Sequence, residues 1–187
     1  IIINFLIFMA TAWPPKAGNT IMEYCALSLG TPFFHVYQFI TYMFLHVNFE
    51  HIFFNMFALW MFGRTLEYEL GQKRFLTYYM VCGIGAALIQ YLTALAFGEF
   101  PLVLVGASGA VMGLLLAFGV LHPNAVIMLL IPPIPMKAKW FVVIYGVIEL
   151  FLGWRGVGNV AHFAHVGGML WGFLLLQWWK QRGLIRF

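Results

Sequence analysis

Six apolar segments, separated by stretches that contain proline, glycine or basic residues, constrain the fold of this chain more than any other feature. They cover residues 1–13, 49–66, 75–97, 102–121, 140–154 and 160–179. Hydrophobic residues make up 63% of the 187 residues and charged residues only 9%, whereas an ordinary soluble domain carries about 25% charged residues. One membrane-spanning helix needs roughly 20 mostly apolar residues. The sequence therefore predicts an all-α membrane protein with a bundle of six transmembrane helices, and it excludes a water-soluble enzyme.

The connection between the first two segments, residues 14–48, is too polar to span a membrane but contains many aromatic residues. Because amphipathic aromatic side chains favour the membrane interface, we expect a long interfacial first loop. The sequence has no internal repeat, so we predict a single transmembrane domain over residues 1–187. We interpret the apolar run that begins at Ile1 as the remainder of a longer first span, truncated at its N-terminus, and not as a signal peptide.

Basic residues at the ends of the apolar segments predict the orientation of the helices. Eight of the ten lysines and arginines lie at the end of the second, fourth or sixth segment or in the connection after it, and only Lys16 and Arg155 fall in the other connections. By the positive-inside rule, the side that carries the eight is cytoplasmic. Both termini are then cytoplasmic, and the net charge of +4 reflects this orientation, so no nucleic-acid partner is expected.

The acidic residues exclude several classes of site, because all six are glutamate and the sequence contains no aspartate. An EF-hand, a pair of catalytic aspartates and a Ser-His-Asp triad all require that residue. The two cysteines, Cys25 and Cys82, do not indicate a disulfide framework.

Polar side chains inside apolar segments are costly in a membrane and are candidates for function. His51 and Asn55 are four residues apart in the second segment, so they share one face of a helix. Ser108 lies in the fourth segment, and His162 and His165 lie in the sixth. Each feature alone also has a structural explanation, because Asn and His often form hydrogen bonds between helices. A zinc site at the two histidines would need a third protein ligand, and we predict no metal.

Small residues predict that two of these segments pack closely. The fourth and sixth segments each contain a GxxxG pair, a spacing that lets helices approach each other. These pairs are Gly109 with Gly113 and Gly168 with Gly172. If the two seams face each other, Ser108 lies beside His165. A neutral imidazole takes the serine proton and later gives it to the leaving amine. His51 and Asn55 would then point at the oxyanion, and without an aspartate the machinery would be a dyad.

With these motifs the chain resembles the rhomboid family of intramembrane serine proteases. The resemblance rests on six spans, the pattern His46, His51 and Asn55, the sequence Gly106-Ala-Ser108-Gly109, and the sequence Ala-His165-Val-Gly-Gly168 followed by Gly172. It implies six helices around a water-accessible cavity, and cleavage of peptide bonds in or beside the transmembrane helices of protein substrates, without cofactor or metal. The absence of a seventh span is typical of a bacterial member, which implies a cytoplasmic (inner) membrane.

The resemblance also implies a role for particular residues. Ser108 is the nucleophile, His165 the general base, His51 and Asn55 help hold the oxyanion, and Gly106 belongs to the loop that enters the fourth helix. His46 would be a structural polar residue. The fifth span and the loop at residues 153–159 would form the substrate gate and cap.

Two departures and two alternatives accompany this interpretation. Some members carry an aromatic residue four positions after the nucleophile, where this chain has Met112. Some members also carry a Trp-Arg pair in the first loop, which this sequence lacks.

One alternative to a protease is a pore or small transporter, which Glu149 in the fifth segment would support. The other is a catalytically silent binder of membrane proteins, which the presence of both Ser108 and His165 disfavours.

Overall fold

The computed structural model describes residues 1–128, 133–156 and 161–186, and most of them are helical. The helices in the described residues are α1 (Ile2–Ala12), α2 (Pro15–Cys25), α3 (Gln38–Thr41), α4 (Phe49–Leu70), α5 (Gln72–Phe97), α6 (Ser108–Leu121), α7 (Ala138–Arg155) and α8 (His162–Gln181). A 3₁₀ turn covers Tyr42–Phe44, and the short strands are β1 (Leu27–Leu29), β2 (Leu102–Leu104), β3 (Val126–Met128) and β4 (Pro135–Lys137).

A helix overlaps each of the six predicted apolar segments. Among the described residues, α5 alone is both long enough and apolar enough to cross a membrane by length and composition, and α1 and α6 are shorter apolar helices. The mostly helical architecture therefore agrees with the sequence, while the count of six spans stays a prediction. The predicted start of the sixth segment at residue 160 lies outside the described residues.

The first loop contains more regular structure than the sequence analysis expects. Helix α2 begins at Pro15. Proline is favoured in the first turn of a helix, because an N–H in that turn has no acceptor within the helix and its absence costs no hydrogen bond. Gly18 packs against the backbone of Thr11 in α1, and no side chain would fit between them. The loop therefore starts with a helical hairpin.

The fourth apolar segment, predicted as one helix over residues 102–121, is divided in the structure. Its first residues form β2, which pairs antiparallel with β1, so that Leu104 lies opposite Leu27. Gly106 then has a φ of +117°, a conformation that favours glycine, and α6 begins at Ser108. The serine therefore stands at the N-terminus of a helix and not within one.

The core is formed by α5, α6 and α8, which pack against one another, while α4 and α7 both contact α6. Two buried tyrosines link the elements by hydrogen bonds to backbone carbonyls. The hydroxyl of Tyr78 on α5 donates to Gly113 of α6 at 2.8 Å, and the hydroxyl of Tyr42 donates to Gly83 of α5 at 2.7 Å. Since these groups are buried, their hydrogen bonds fix the relative positions of the helices.

Candidate active site

Ser108 and His165 meet at the N-terminal ends of α6 and α8. The Oγ of Ser108 lies 2.8 Å from Nε2 of His165, a distance typical of a hydrogen bond. Ser108 is the first residue of α6, and His165 lies in the first turn of α8 and is buried. A hydroxyl and an imidazole are therefore within proton-transfer distance of each other.

Close packing of glycines brings the two helices to this distance. A Cβ on Gly168 of α8 would collide with the backbone carbonyl of Gly109 in α6, so these two residues form the contact between the helices. A Cβ on Gly113 would meet Cys82, and one on Gly172 would meet the hydroxyl of Tyr78. The second glycine of each predicted pair thus also makes room for α5.

His51 and Asn55 lie at the start of α4 and line the same cavity as Ser108 and His165, which has a volume of about 990 Å³. The side chain of Asn48 caps this helix, because its Oδ1 accepts a hydrogen bond of 2.8 Å from the N–H of His51. The Nδ2 of Asn55 donates to the carbonyl of His51 at 2.8 Å, and one N–H remains for another acceptor. A Cβ on Gly106 would lie 2.6 Å from Nε2 of His51, so the loop before α6 needs glycine there.

Glu149, which the sequence analysis considered as support for a pore, lies next to two histidines of the site. Its side chain is buried on α7, and its Oε2 lies 2.7 Å from Nδ1 of His162 and 3.0 Å from Nδ1 of His165. The first contact is a hydrogen bond. The second has no hydrogen-bond alignment, and Nδ1 of His165 has no such partner among the described residues. A buried carboxylate thus lies directly behind the histidine that contacts Ser108.

Gln90 on α5 is a residue that sequence reasoning missed. Its Oε1 accepts a hydrogen bond of 3.0 Å from the backbone N–H of Ala164 in the first turn of α8, and the same N–H also donates to the carbonyl of Ala161 at 3.0 Å. The side chain therefore caps the turn that carries His165. A glutamine inside the apolar segment 75–97 was the signal that could have identified it.

His46 supports the site from the loop before α4. It is buried, and its ring packs edge-to-face on His51 with centroids 5.0 Å apart. Burial, and to a smaller extent the neighbouring His51, lower its pKa to about 4. His46 is therefore uncharged at neutral pH.

The remaining predicted residues are placed as follows. Met112 lines the cavity, one helical turn after Ser108. The predicted gate includes α7, while residues 157–159 of the predicted cap lie outside the described residues.

Comparison with known proteins identifies the family of the chain. A sequence model of the rhomboid domain matches residues 34–180. The chain belongs to the rhomboid family. Among its rhomboid relatives, Rhomboid protein 1, mitochondrial, of Saccharomyces cerevisiae is 35% identical over 136 residues, which are 70% of this chain and 38% of that protein. Presenilin-associated rhomboid-like protein A, mitochondrial, of Danio rerio is 32% identical over 154 residues, or 77% of this chain and 39% of that protein.

A third rhomboid relative, Rhomboid-like protein 11, chloroplastic, of Arabidopsis thaliana, is 41% identical over 78 residues, which are 42% of this chain and 26% of that protein. The chain spans about two fifths of the length of the first two relatives. The names of all three refer to organelles, and they give no support to the expected bacterial membrane.

Proposed function

We propose that this rhomboid is a serine endopeptidase that cleaves peptide bonds in or beside the transmembrane segments of membrane proteins. The observation that carries the proposal is the 2.8 Å contact between Ser108 Oγ and His165 Nε2, which opens onto a cavity of about 990 Å³. A half-buried hydroxyl paired with an imidazole is an arrangement that nucleophilic catalysis uses. No cofactor takes part in the proposed reaction.

The reaction has two stages. Ser108 Oγ attacks the substrate carbonyl carbon while His165 Nε2 takes the hydroxyl proton, and the imidazolium then gives that proton to the leaving amine as the C–N bond breaks. A water molecule cleaves the resulting ester in the same way, which releases the acid and returns the proton to Ser108. Glu149, 3.0 Å behind His165, stabilises the imidazolium by its negative charge.

Three groups are available to hold the oxyanion of the tetrahedral intermediate. The backbone N–H of Ser108 belongs to the first turn of α6 and has no acceptor within the helix. The free N–H of Asn55 and the ring of His51 line the same cavity. Donors of this kind stabilise the charge that develops on the carbonyl oxygen.

We further propose that the chain is an integral membrane protein with six spans around this cavity. Family membership and the six helix-overlapped apolar segments support this topology. The outer face of α7 supports it too, because large apolar side chains are exposed there, including Trp140, Val147, Phe151 and Trp154. An apolar surface of this extent is typical of contact with lipid or with another membrane helix. A pore is less well supported, because Glu149 contacts His162 and His165.

The test is cleavage of a transmembrane substrate by the purified protein in detergent or liposomes. The sequence contains two serines, Ser108 and Ser28, so each can be replaced in turn. Ser108→Ala should abolish cleavage and labelling by a serine-reactive fluorophosphonate, while Ser28→Ala should retain both. Cleavage that survives Ser108→Ala would reject the proposal, and so would absence of both cleavage and labelling in the unsubstituted protein, which would favour a silent binder.

A further inference from the structure

Three potential metal ligands lie close together, and one of them is the proposed catalytic histidine. Glu149, His162 and His165 are all buried, and one ligand atom from each lies within 4.8 Å of the other two. Glu149 comes from α7, and both histidines come from the first turn of α8. Because all three stand on helices that pack against each other, the cluster is held by rigid elements and not by loops.

An unsatisfied nitrogen in this cluster points to a ligand. Nδ1 of His165 is buried and has no hydrogen-bond partner among the described residues, although Oε2 of Glu149 lies 3.0 Å away. Buried polar atoms without a partner are rare in folded proteins. A cation between the nitrogen and the carboxylate would bond to both atoms and would give Nδ1 of His165 the partner that it lacks.

We propose that Glu149, His162 and His165 form a binding site for a divalent transition metal of the Zn²⁺ class. Two imidazole nitrogens and one carboxylate oxygen are a typical Zn²⁺ donor set, with a fourth position left for water. Mg²⁺ and Ca²⁺ prefer oxygen ligands and fit less well. The sequence alone predicts no metal because the histidine pair lacks a third ligand. In the structure Glu149, on another helix, supplies this ligand.

Binding of the ion requires local rearrangement of the three side chains. Bonds of about 2.0–2.1 Å in a tetrahedral site place neighbouring ligand atoms about 3.3–3.4 Å apart. Glu149 Oε2 lies 2.7 Å from His162 Nδ1 and 3.0 Å from His165 Nδ1, so these two distances must lengthen, and the ligand nitrogens of the two histidines, which lie within 4.8 Å of each other, must adjust with them. All three residues line the same cavity as Ser108, which provides a route for the ion.

Metal binding and proteolysis exclude each other at this site, a consequence that rests on the proposed function. A neutral imidazole has a lone pair on one nitrogen and a proton on the other. A metal at Nδ1 of His165 uses that lone pair, so Nε2 carries the proton and no longer accepts one from Ser108. Zn²⁺ is therefore expected to inhibit cleavage in proportion to its occupancy.

The site is tested first without any activity measurement. Co²⁺ is titrated into purified Ser108→Ala protein, which keeps all three ligands, and the visible absorption of tetrahedral Co²⁺ is followed. We expect the bands to appear and to vanish when Zn²⁺ displaces the ion. Loss of an outer partner costs about 10–100-fold in metal affinity, so His162→Gln and Glu149→Gln, which each remove a direct ligand, should lose at least as much.

His122→Gln is the matched control, because His122 forms a surface pair with Glu69 at 3.0 Å and should not contribute to these bands. Absence of tetrahedral Co²⁺ bands would overturn the proposal. Bands that persist at full strength in both His162→Gln and Glu149→Gln would overturn it too, since the ion would then lie elsewhere.

Inhibition is tested on the protein with Ser108 intact. Zn²⁺ should stop cleavage, a chelator should restore it, and His162→Gln, compared with its own metal-free rate, should resist the metal. Serine-dependent cleavage without Co²⁺ binding would overturn the metal site and leave the protease. Binding in the absence of any serine-dependent cleavage would overturn the protease and leave the metal site.

Discussion

The environment of His165 differs at its two ring nitrogens. Nε2 lies 2.8 Å from Ser108 Oγ, while Nδ1 lies 3.0 Å from a buried carboxylate. The sequence suggested the Ser–His pair because both residues lie next to glycine-rich helix contacts. It did not assign Glu149 to this histidine, since that contact depends on how α7 packs against α8, and no local spacing encodes such packing.

Asn55 provides a test of oxyanion stabilisation at the residue scale. Asn55→Ala removes the Nδ2 donor, and loss of one such donor typically costs about 10²–10³ in kcat. We expect a fall of that size in the cleavage rate, with little change in thermal stability, because the hydrogen bond to His51 stays within one helix. A fully active Asn55→Ala protein would exclude this residue from the site.

His46 predicts a pH dependence of stability. Its pKa in the folded protein is about 4, against an ordinary value of 6.5, so the unfolded chain binds the proton more readily. The free energy of unfolding should therefore fall as pH drops from about 6.5 towards 4. His46→Leu should flatten this decline in detergent unfolding curves. His35→Leu at an exposed histidine should leave the slope unchanged, and an equal flattening in both variants would contradict the assignment.

At the scale of elements, the contact between α6 and α8 controls the geometry of the site. GxxxG patterns in the sequence predicted this contact, because small residues at this spacing allow two helices to pack closely. The pairing of β1 with β2 had no such signal, since strands of three residues that lie far apart in the sequence leave no periodicity. The division of the fourth segment at Gly106 follows from that pairing.

Gly168→Val tests the helix contact. The new side chain would collide with the carbonyl of Gly109, and backbone cannot move aside as a flexible side chain does. Overpacking typically costs about 1–3 kcal/mol, and separation of the helices would also break the contact between Ser108 and His165. We expect lower thermal stability and loss of cleavage together.

Gly146→Ala is the control for this variant, because its Cβ would meet only the flexible end of Met169, at 3.2 Å. It should remain stable and active. Normal cleavage by Gly168→Val would refute the close contact.

Gln90→Leu tests the cap of α8. The change keeps the size of the side chain but removes one of the two acceptors of the Ala164 N–H, which keeps only the carbonyl of Ala161, and a typical hydrogen bond contributes about 0.5–1.5 kcal/mol. Thermal unfolding should show a loss in this range, and kcat should fall because the turn that carries His165 is less well held. Gln181→Leu, at the exposed end of the same helix, should change neither, and an unaffected Gln90→Leu protein would contradict the capping role.

At the scale of the whole molecule, the distribution of basic residues predicts which ends of the helices face the cytoplasm. Helix α5 has 26 residues and is about 39 Å long at 1.5 Å per residue, which exceeds the hydrocarbon thickness of about 30 Å. Lys73 and Glu99, near its two ends, are both exposed. They should therefore lie on opposite sides of the membrane, with Lys73 on the cytoplasmic side.

Single cysteines test this orientation in a Cys25→Ser background, where the buried Cys82 should not react. A membrane-impermeant maleimide added to intact cells, or to sealed vesicles with the outer face exposed, should label Glu99→Cys. It should label Lys73→Cys only after the membrane is permeabilised. The reverse pattern would show that the charge asymmetry does not set the orientation. Labelling of both positions before permeabilisation would show that α5 does not cross the bilayer, and the proposed six-span topology would fail with it.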